Sequence, residues 1–217
     1  MKYRTDSITI YLAGEFFNHK DLMGNRLLAR KIAELTRNRF QFTLPQDVTT
    51  DNPNGFSIKE ADIFHLLQSQ AVLFNFDGPD LDSGTVSEFM IAVFLGIPSV
   101  LLRTDIRSGG DDADGDPWNL MCSGYPGTRS LVMNSMAIYQ EIWQKNKDEN
   151  QAIHRFYETI AQPVIERFET LLSEPPRFSS QEEAFQVYRH FIRSCGTSLE
   201  KAFSDEVLRE CLDRRFE

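Results

Sequence analysis

Cysteine is scarce. Among 217 residues only Cys122, Cys195 and Cys211 occur. Three widely spaced thiols make neither a disulfide frame nor a four-cysteine zinc site. Positive charge is also in deficit, with 23 Lys and Arg against 32 Asp and Glu and a formal net charge of -9. Such a chain lacks the diffuse cationic field that duplex nucleic acid or an anionic membrane surface attracts, so neither is expected as a partner. No apolar run reaches the roughly 20 residues of a membrane span. The opening stretch Met1-Lys2-Tyr3-Arg4-Thr5-Asp6 has no apolar core of a secretory signal, and the expected compartment is the cytoplasm. The rest is ordinary: 41% hydrophobic and 25% charged residues. That composition suits a full globular core with chain to spare for a smaller one.

Five short apolar, β-branched or aromatic runs predict strands at residues 8–13, 40–44, 71–76, 100–102 and 131–133. Three are nearly continuous apolar runs, as in parallel strands covered on both faces. Helical spacing appears between them, at Leu28, Ile32 and Leu35, over residues 58–67, and over residues 86–95, where Gly96-Ile97-Pro98 closes the helix. The alternation predicts an α/β fold over residues 1–135: a doubly wound, mostly parallel five-stranded sheet flanked by helices. Such sheets bind ligands beyond the carboxyl ends of their strands. Residues 136–217 show helical periodicity only and predict an all-helical C-terminal extension, packed on the sheet domain or on a partner subunit. Within it Pro163 is expected to kink or break a helix and Pro175-Pro176 to stop it. Ser180 should open the next helix, and Thr197-Ser198 a last one carrying Leu199, Phe203, Val207 and Leu208.

Residues 75–88 carry the chemistry. They run from a strand end through a Gly/Pro loop into a helix, which places Asp82 in the loop and Glu88 in or near the first helical turn. The helix start would favour an ionised carboxylate there. An ionised carboxylate at the carboxyl edge of a sheet can attack an electrophilic carbon. Two other readings compete: acids that merely cap the helix, and a magnesium site built from Asp77, Asp80 and Asp82. The loop has no Lys or Arg to accompany a sugar phosphate, and the expectation is no metal and no cofactor.

Four segments in order resemble the nucleoside 2-deoxyribosyltransferase family: Ile10-Tyr11-Leu12-Ala13-Gly14, the D-x-G-T-x-x-E signature from Asp82 to Glu88, Gly96-Ile97-Pro98-Ser99-Val100-Leu101, and Pro117-Trp118-Asn119-Leu120-Met121. The match covers about residues 7–134. The resemblance implies transfer of 2-deoxyribose between nucleobases through a covalent glycosyl-glutamate, with retention of configuration, in nucleotide salvage. It implies 2′-deoxynucleosides and free nucleobases as partners and a homo-oligomer. Position by position, Glu88 matches the nucleophile, Tyr11 the phenol that orients it, and Asp62 the acid that protonates the departing base. Asp82 matches a group on a sugar hydroxyl, and Asn119 a residue reaching into the neighbouring subunit's site. Gly14 and Met121 fall in matched segments at the site, Phe16 and Phe17 where the family has aromatics around the base, and Gln46 near a base-contacting position.

The residue types suit that chemistry independently. An N-glycosidic bond breaks through an oxocarbenium-like state, with one carboxylate as nucleophile and a second acid assisting the leaving group. Asp62 must then hold a proton, which burial near other carboxylates would allow. Plainer roles compete: Tyr11 as a strand aromatic, Asp62 as a helix cap, Asn119 as a turn residue, Phe16 and Phe17 as core, and Cys122 as a lining residue. His65, His154 and His190 are read as structural or surface residues. The sequence departs from the family at Glu15, at Phe89-Met90, and in the length of its C-terminal region. Gly109 to Gly115 is read as a mobile loop that could cover the base. Two rival functions remain: a 2′-deoxynucleoside 5′-monophosphate N-glycosidase, in which serine commonly stands at the position of Asp82, and a non-catalytic nucleoside sensor.

Overall fold

The structure, a computed structural model, describes residues 7–47, 57–107 and 116–216. Five parallel strands form one sheet in the order β2-β1-β3-β4-β5, with β1 at Ile8–Ala13, β2 at Phe40–Thr43, β3 at Ala71–Asn75, β4 at Ser99–Arg103 and β5 at Thr128–Val132. The order reverses beside β1, so the crevice between the carboxyl ends of β1 and β3 is the topological switch point.

Strand periodicity sorts the core into two faces. Ile10 and Leu12, Ala71 and Leu73, and Val100 and Leu102 point to one side. That side is covered by α1 (His19–Leu35) and by α5 (Glu149–Leu172), whose Ile160, Val164, Phe168 and Leu171 are buried there. Tyr11 and Ala13, Val72 and Phe74, and Leu101 point to the other. There lie α2 (Ile58–Gln68), α3 (Ser83–Phe94), and the C-terminal helices α6 (Gln181–Cys195), α7 (Thr197–Ala202) and α8 (Asp205–Phe216). One helix, α4 (Ser135–Lys145), buries no residue.

Several local expectations are corrected. Pro163 does not break its helix, for α5 runs through it unbroken over 24 residues. The lost backbone bond and the ring clash are worth about 3 kcal/mol or more, and burial of Val164, Ile165 and Phe168 immediately beyond it offsets that. The last predicted helix is two. Phe203 ends α7, and the Ser204 hydroxyl accepts the Val207 N–H to open α8. No side chain caps α7, so Thr197 and Ser198 do not serve as its N-cap. The fifth strand begins at Thr128, three residues before the apolar run, because β4 pairs it through Thr128, Arg129 and Ser130.

Gly14 ends β1 against β3. A Cβ built there would lie 2.9 Å from the Asn75 Cβ. That atom sits on a paired strand and cannot swing away. Gly14→Ala is expected to lower stability by about 1–3 kcal/mol, read as a reduced urea midpoint at unchanged m-value.

Candidate active site

Tyr11 is the fourth residue of β1 and is completely buried on the face that α2 and α3 cover. Its hydroxyl donates to Glu88 Oε1 at 2.7 Å. Glu88 stands near the first turn, just beyond it. Asp82 is the N-cap of α3, so Glu88 is the sixth helical residue and lies in the second turn. The helix dipole acts mainly within the first turn, and the expected stabilisation of the ionised form is not what dominates. The Glu88 carboxyl is raised from 4.5 to about 7: burial pushes it up most, the Tyr11 hydrogen bond pulls it down, and the charges of Asp62 and Asp82 push it up. Tyr11 is raised far above its ordinary range, first by burial and then by the charges of Glu88 and Asp62. It therefore stays a phenol and a donor.

Asp62 comes from α2. Ser57 and Glu60 form the capping box of that helix, which leaves Asp62 one turn inside and overturns its reading as a cap. Burial raises its carboxyl above the ordinary carboxylate range, the direction that a proton donor needs. Asp82 spends Oδ2 on the Thr85 N–H at 2.7 Å and on the Thr85 hydroxyl at 2.9 Å. It is thus a cap and, through its charge, a neighbour of Glu88. Asp77 is spent on the fold. Its carboxylate accepts the Thr104 N–H, the Thr104 hydroxyl and the Asp105 N–H, tying the end of β3 to that of β4.

The remaining predicted positions ring this centre unevenly. Phe16 is half-buried and Phe17 is 73% exposed, their rings stacked with centroids 4.9 Å apart; they are not core. Gln46 follows β2 in a 3-10 turn and donates to the Leu22 carbonyl at 2.8 Å, while its Oε1 is buried without a partner among the described residues. Asn119 caps the 3-10 turn Leu120–Cys122 by accepting the Met121 N–H, and that turn packs on α3. Asn119 and Met121 are both exposed and are not buried with Tyr11 and Glu88. Cys122 is buried in the core beneath α3. The loop at 109–115 lies outside the described residues.

Two residues escaped the sequence reading. Asn25 of α1 is 4% exposed; its Nδ2 donates to the Glu15 carbonyl at 3.0 Å and its Oδ1 accepts from Asn75 Nδ2 at 3.3 Å. Asn75 Oδ1 in turn accepts the Asp77 N–H at 3.1 Å. This relay joins the loop after β1 to the loop after β3, the two rims of the crevice. The only sequence signal was a polar residue on the buried stripe of a helix, next to Leu28, Ala29 and Ile32. The departure at Phe89 is also explained. Its ring is buried against Phe74, Phe76 and Tyr125, so it pins α3 to β3 and does not fill the site. Glu15 is raised above the ordinary carboxylate range, mainly by burial and then by Asp21 and Asp82.

A large cavity of about 870 Å³ lies at the opposite end of the sheet, where Ile8, Gln70, Pro98 and Gly127 begin or precede their strands. Its two carboxylates, Glu169 and Glu174, are paired with Arg39 and Arg129. None of the Tyr11, Asp62, Asp82 and Glu88 cluster lines it. The model of the family described as nucleoside 2-deoxyribosyltransferase matches residues 10–121, just over half of the chain and all four residues of the Tyr11, Asp62, Asp82 and Glu88 cluster.

The chain belongs to the nucleoside 2-deoxyribosyltransferase family.

Several solved structures are similar to it, three of them as follows. A conserved protein from Enterococcus faecalis V583 is 27% identical, over 64% of this chain and 99% of that one, with a TM-score of 0.47. A 2-desoxiribosyltransferase from Leishmania mexicana is 24% identical over the same shares, with a TM-score of 0.43. A 2-deoxyribosyltransferase from the psychrotolerant bacterium Bacillus psychrosaccharolyticus is 20% identical, over 46% of this chain and 74% of that one, with a TM-score of 0.39. No curated protein matches the sequence. Within this family member, no described helix is long and apolar enough to cross a membrane.

Proposed function

We propose that this protein transfers 2-deoxyribose between nucleobases by two displacements at C1′. The observation that carries the reading is the 2.7 Å hydrogen bond from Tyr11 to Glu88 at the switch point, with Asp62 and Asp82 close enough to perturb the same carboxylate. The free Glu88 carboxylate attacks C1′, and its Oε–C1′ bond forms as the N-glycosidic bond breaks. Asp62 gives its proton to the departing base. A second base then attacks C1′ from the face that the first one left, its proton passes to Asp62, and Glu88 is released. Two inversions leave the configuration retained. Asp82 holds a sugar hydroxyl with its uncommitted oxygen, and Phe16, Phe17, Gln46, Met121 and the close approach at Gly14 shape the base and sugar subsites.

The charges favour unphosphorylated substrates. No cation is among the groups that act on Glu88, and the Asp82 charge is, so an adjacent 5′-phosphate would meet repulsion at short range. This weighs against the monophosphate glycosidase. Incubating deoxyinosine with adenine and separating the products decides the matter: deoxyadenosine means transfer, free deoxyribose alone means hydrolysis, and no turnover means a sensor. Tyr11→Phe removes the one hydrogen bond that lowers the Glu88 carboxyl. The acidic limb of kcat/KM should shift to higher pH, with about tenfold less activity at pH 6.

The oligomer belongs to the same proposal. Asn119, Leu120 and Met121 stand exposed in and before a turn that packs on α3, and Met90 and Phe94 of α3 are exposed too. Two copies meeting there would let Asn119 complete the neighbouring site. Sedimentation velocity should show a species larger than 25.0 kDa, and an active monomer would exclude this arrangement.

A further inference from the structure

Asp62 occupies one face of α2. At about 100° per residue, Glu60 and Phe64 lie roughly 160° and 200° around the helix from it, on its back. The C-terminal helices cover that back. Leu199 and Phe203 are fully buried in the same core as Ile63 and Leu66 of α2 and Phe89 and Ala92 of α3. The rings of Phe64 and Phe203 lie 5.0 Å apart. Ser198, at the start of α7, is near enough to help favour the ionised form of the Glu60 carboxylate, which itself accepts the Ser57 N–H and hydroxyl. Phe203 is held from behind: its carbonyl accepts from Arg189 Nη1 at 2.7 Å, and Arg189 pairs with Asp205. The extension thus touches the helix that carries Asp62, through Phe203 against Phe64 on its back, and the helix that carries Glu88, through Phe191 against Phe94.

We propose that α7 and Phe203 are the positioning device for Asp62. They fix α2 against α3 so that the acid on one helix meets the base leaving a sugar held over the carboxylate on the other. Asp62 is the group that transfers the proton; Phe203 and Ser198 act only through it. The inference rests on the reading of Asp62 as proton donor. It gives the C-terminal region a task in the chemistry itself: control of leaving-group protonation, with no part in the attack on C1′.

The test compares two donors in the full-length protein by first-turnover release of the leaving group. Deoxyinosine loses a base that needs a proton. 4-Nitrophenyl 2-deoxy-β-D-ribofuranoside loses a phenolate that does not. Phe203→Ala is expected to slow hypoxanthine release about tenfold or more, part of what a general acid contributes, and to change nitrophenolate release by less than about twofold. Phe203→Leu keeps most of the buried volume and protects folding, and should show the same bias in smaller measure, as should Ser198→Ala. Asp62→Asn runs in parallel. If it slows hypoxanthine release alone while the Phe203 and Ser198 variants slow both donors alike or neither, the positioning role is overturned. If Asp62→Asn slows both donors alike, the acid reading itself falls, and the positioning role with it.

Discussion

Replacing Glu88 with glutamine is expected to abolish sugar transfer and, above pH 7, to make the folded protein more stable. The loss of activity follows from the role. Glutamine preserves shape and can still accept the Tyr11 hydrogen bond, but it cannot form the glycosyl ester. A fall of at least about 10⁴-fold in kcat is the scale set by removing a nucleophile from a coupled set of residues. The gain in stability follows from the environment. Burial, with Asp62 and Asp82 added, holds the Glu88 carboxyl near 7, against 4.5 in the unfolded chain. The native state therefore keeps a proton that the unfolded chain gives up across that window. Stability falls as pH rises from about 4.5 to about 7 and stays reduced above it. The shift, discounted for the partial exposure of the site, is worth about 2 kcal/mol. The variant lacks this slope. Its melting temperature should equal that of the parent below about pH 4.5 and exceed it by several degrees at about pH 8. An inactive variant that gains nothing at high pH would mean that the ionised carboxylate is already well solvated. A variant that still transfers sugar would remove the nucleophile.

That pairing of lost activity with gained stability also explains what the sequence could and could not disclose. The sheet was legible because its strands obey simple periodicity. Alternate residues of β1, β3 and β4 feed two separate cores, and the apolar runs that build them are visible in one dimension. From the same parity, Tyr11 had to face α2 and α3 once those helices were on that side. Where legibility failed, a polar side chain had taken over a structural task. Asp82 and Thr85 close the first turn of α3 on themselves, which starts the helix earlier than its apolar residues indicate and moves Glu88 away from the dipole. Asn25 and Asn75 meet across 50 residues of sequence, and no local pattern announces such a pair. Ser204 breaks what the apolar spacing reads as one helix, because its hydroxyl offers the backbone a new start. Pro163 errs in the other direction: a strong local breaker yields to a buried face that keeps α5 continuous through it. Local rules place elements well and their ends poorly, and in this fold the ends carry the site.

Asp62→Asn is expected to slow transfer from natural nucleosides about 10²- to 10⁴-fold, the usual contribution of a general acid, and to change the shape of the pH profile. In the parent, turnover needs Glu88 ionised and Asp62 protonated. Both carboxyls are raised by burial, Glu88 to about 7, and each charge penalises the other, so the two titrate as a pair. The productive form has one proton on the pair, carried by Asp62. It is the minor arrangement, because Glu88 is the group held near 7. The parent profile of kcat/KM should therefore be bell-shaped, with its basic limb near pH 7, where the last shared proton leaves. Asparagine removes both the requirement and the charge. The basic limb should vanish, leaving a single rise governed by Glu88 alone. That rise should lie below pH 7, since one of the anions that raise Glu88 is gone. A bell retained in the asparagine variant would place the titrating acid elsewhere.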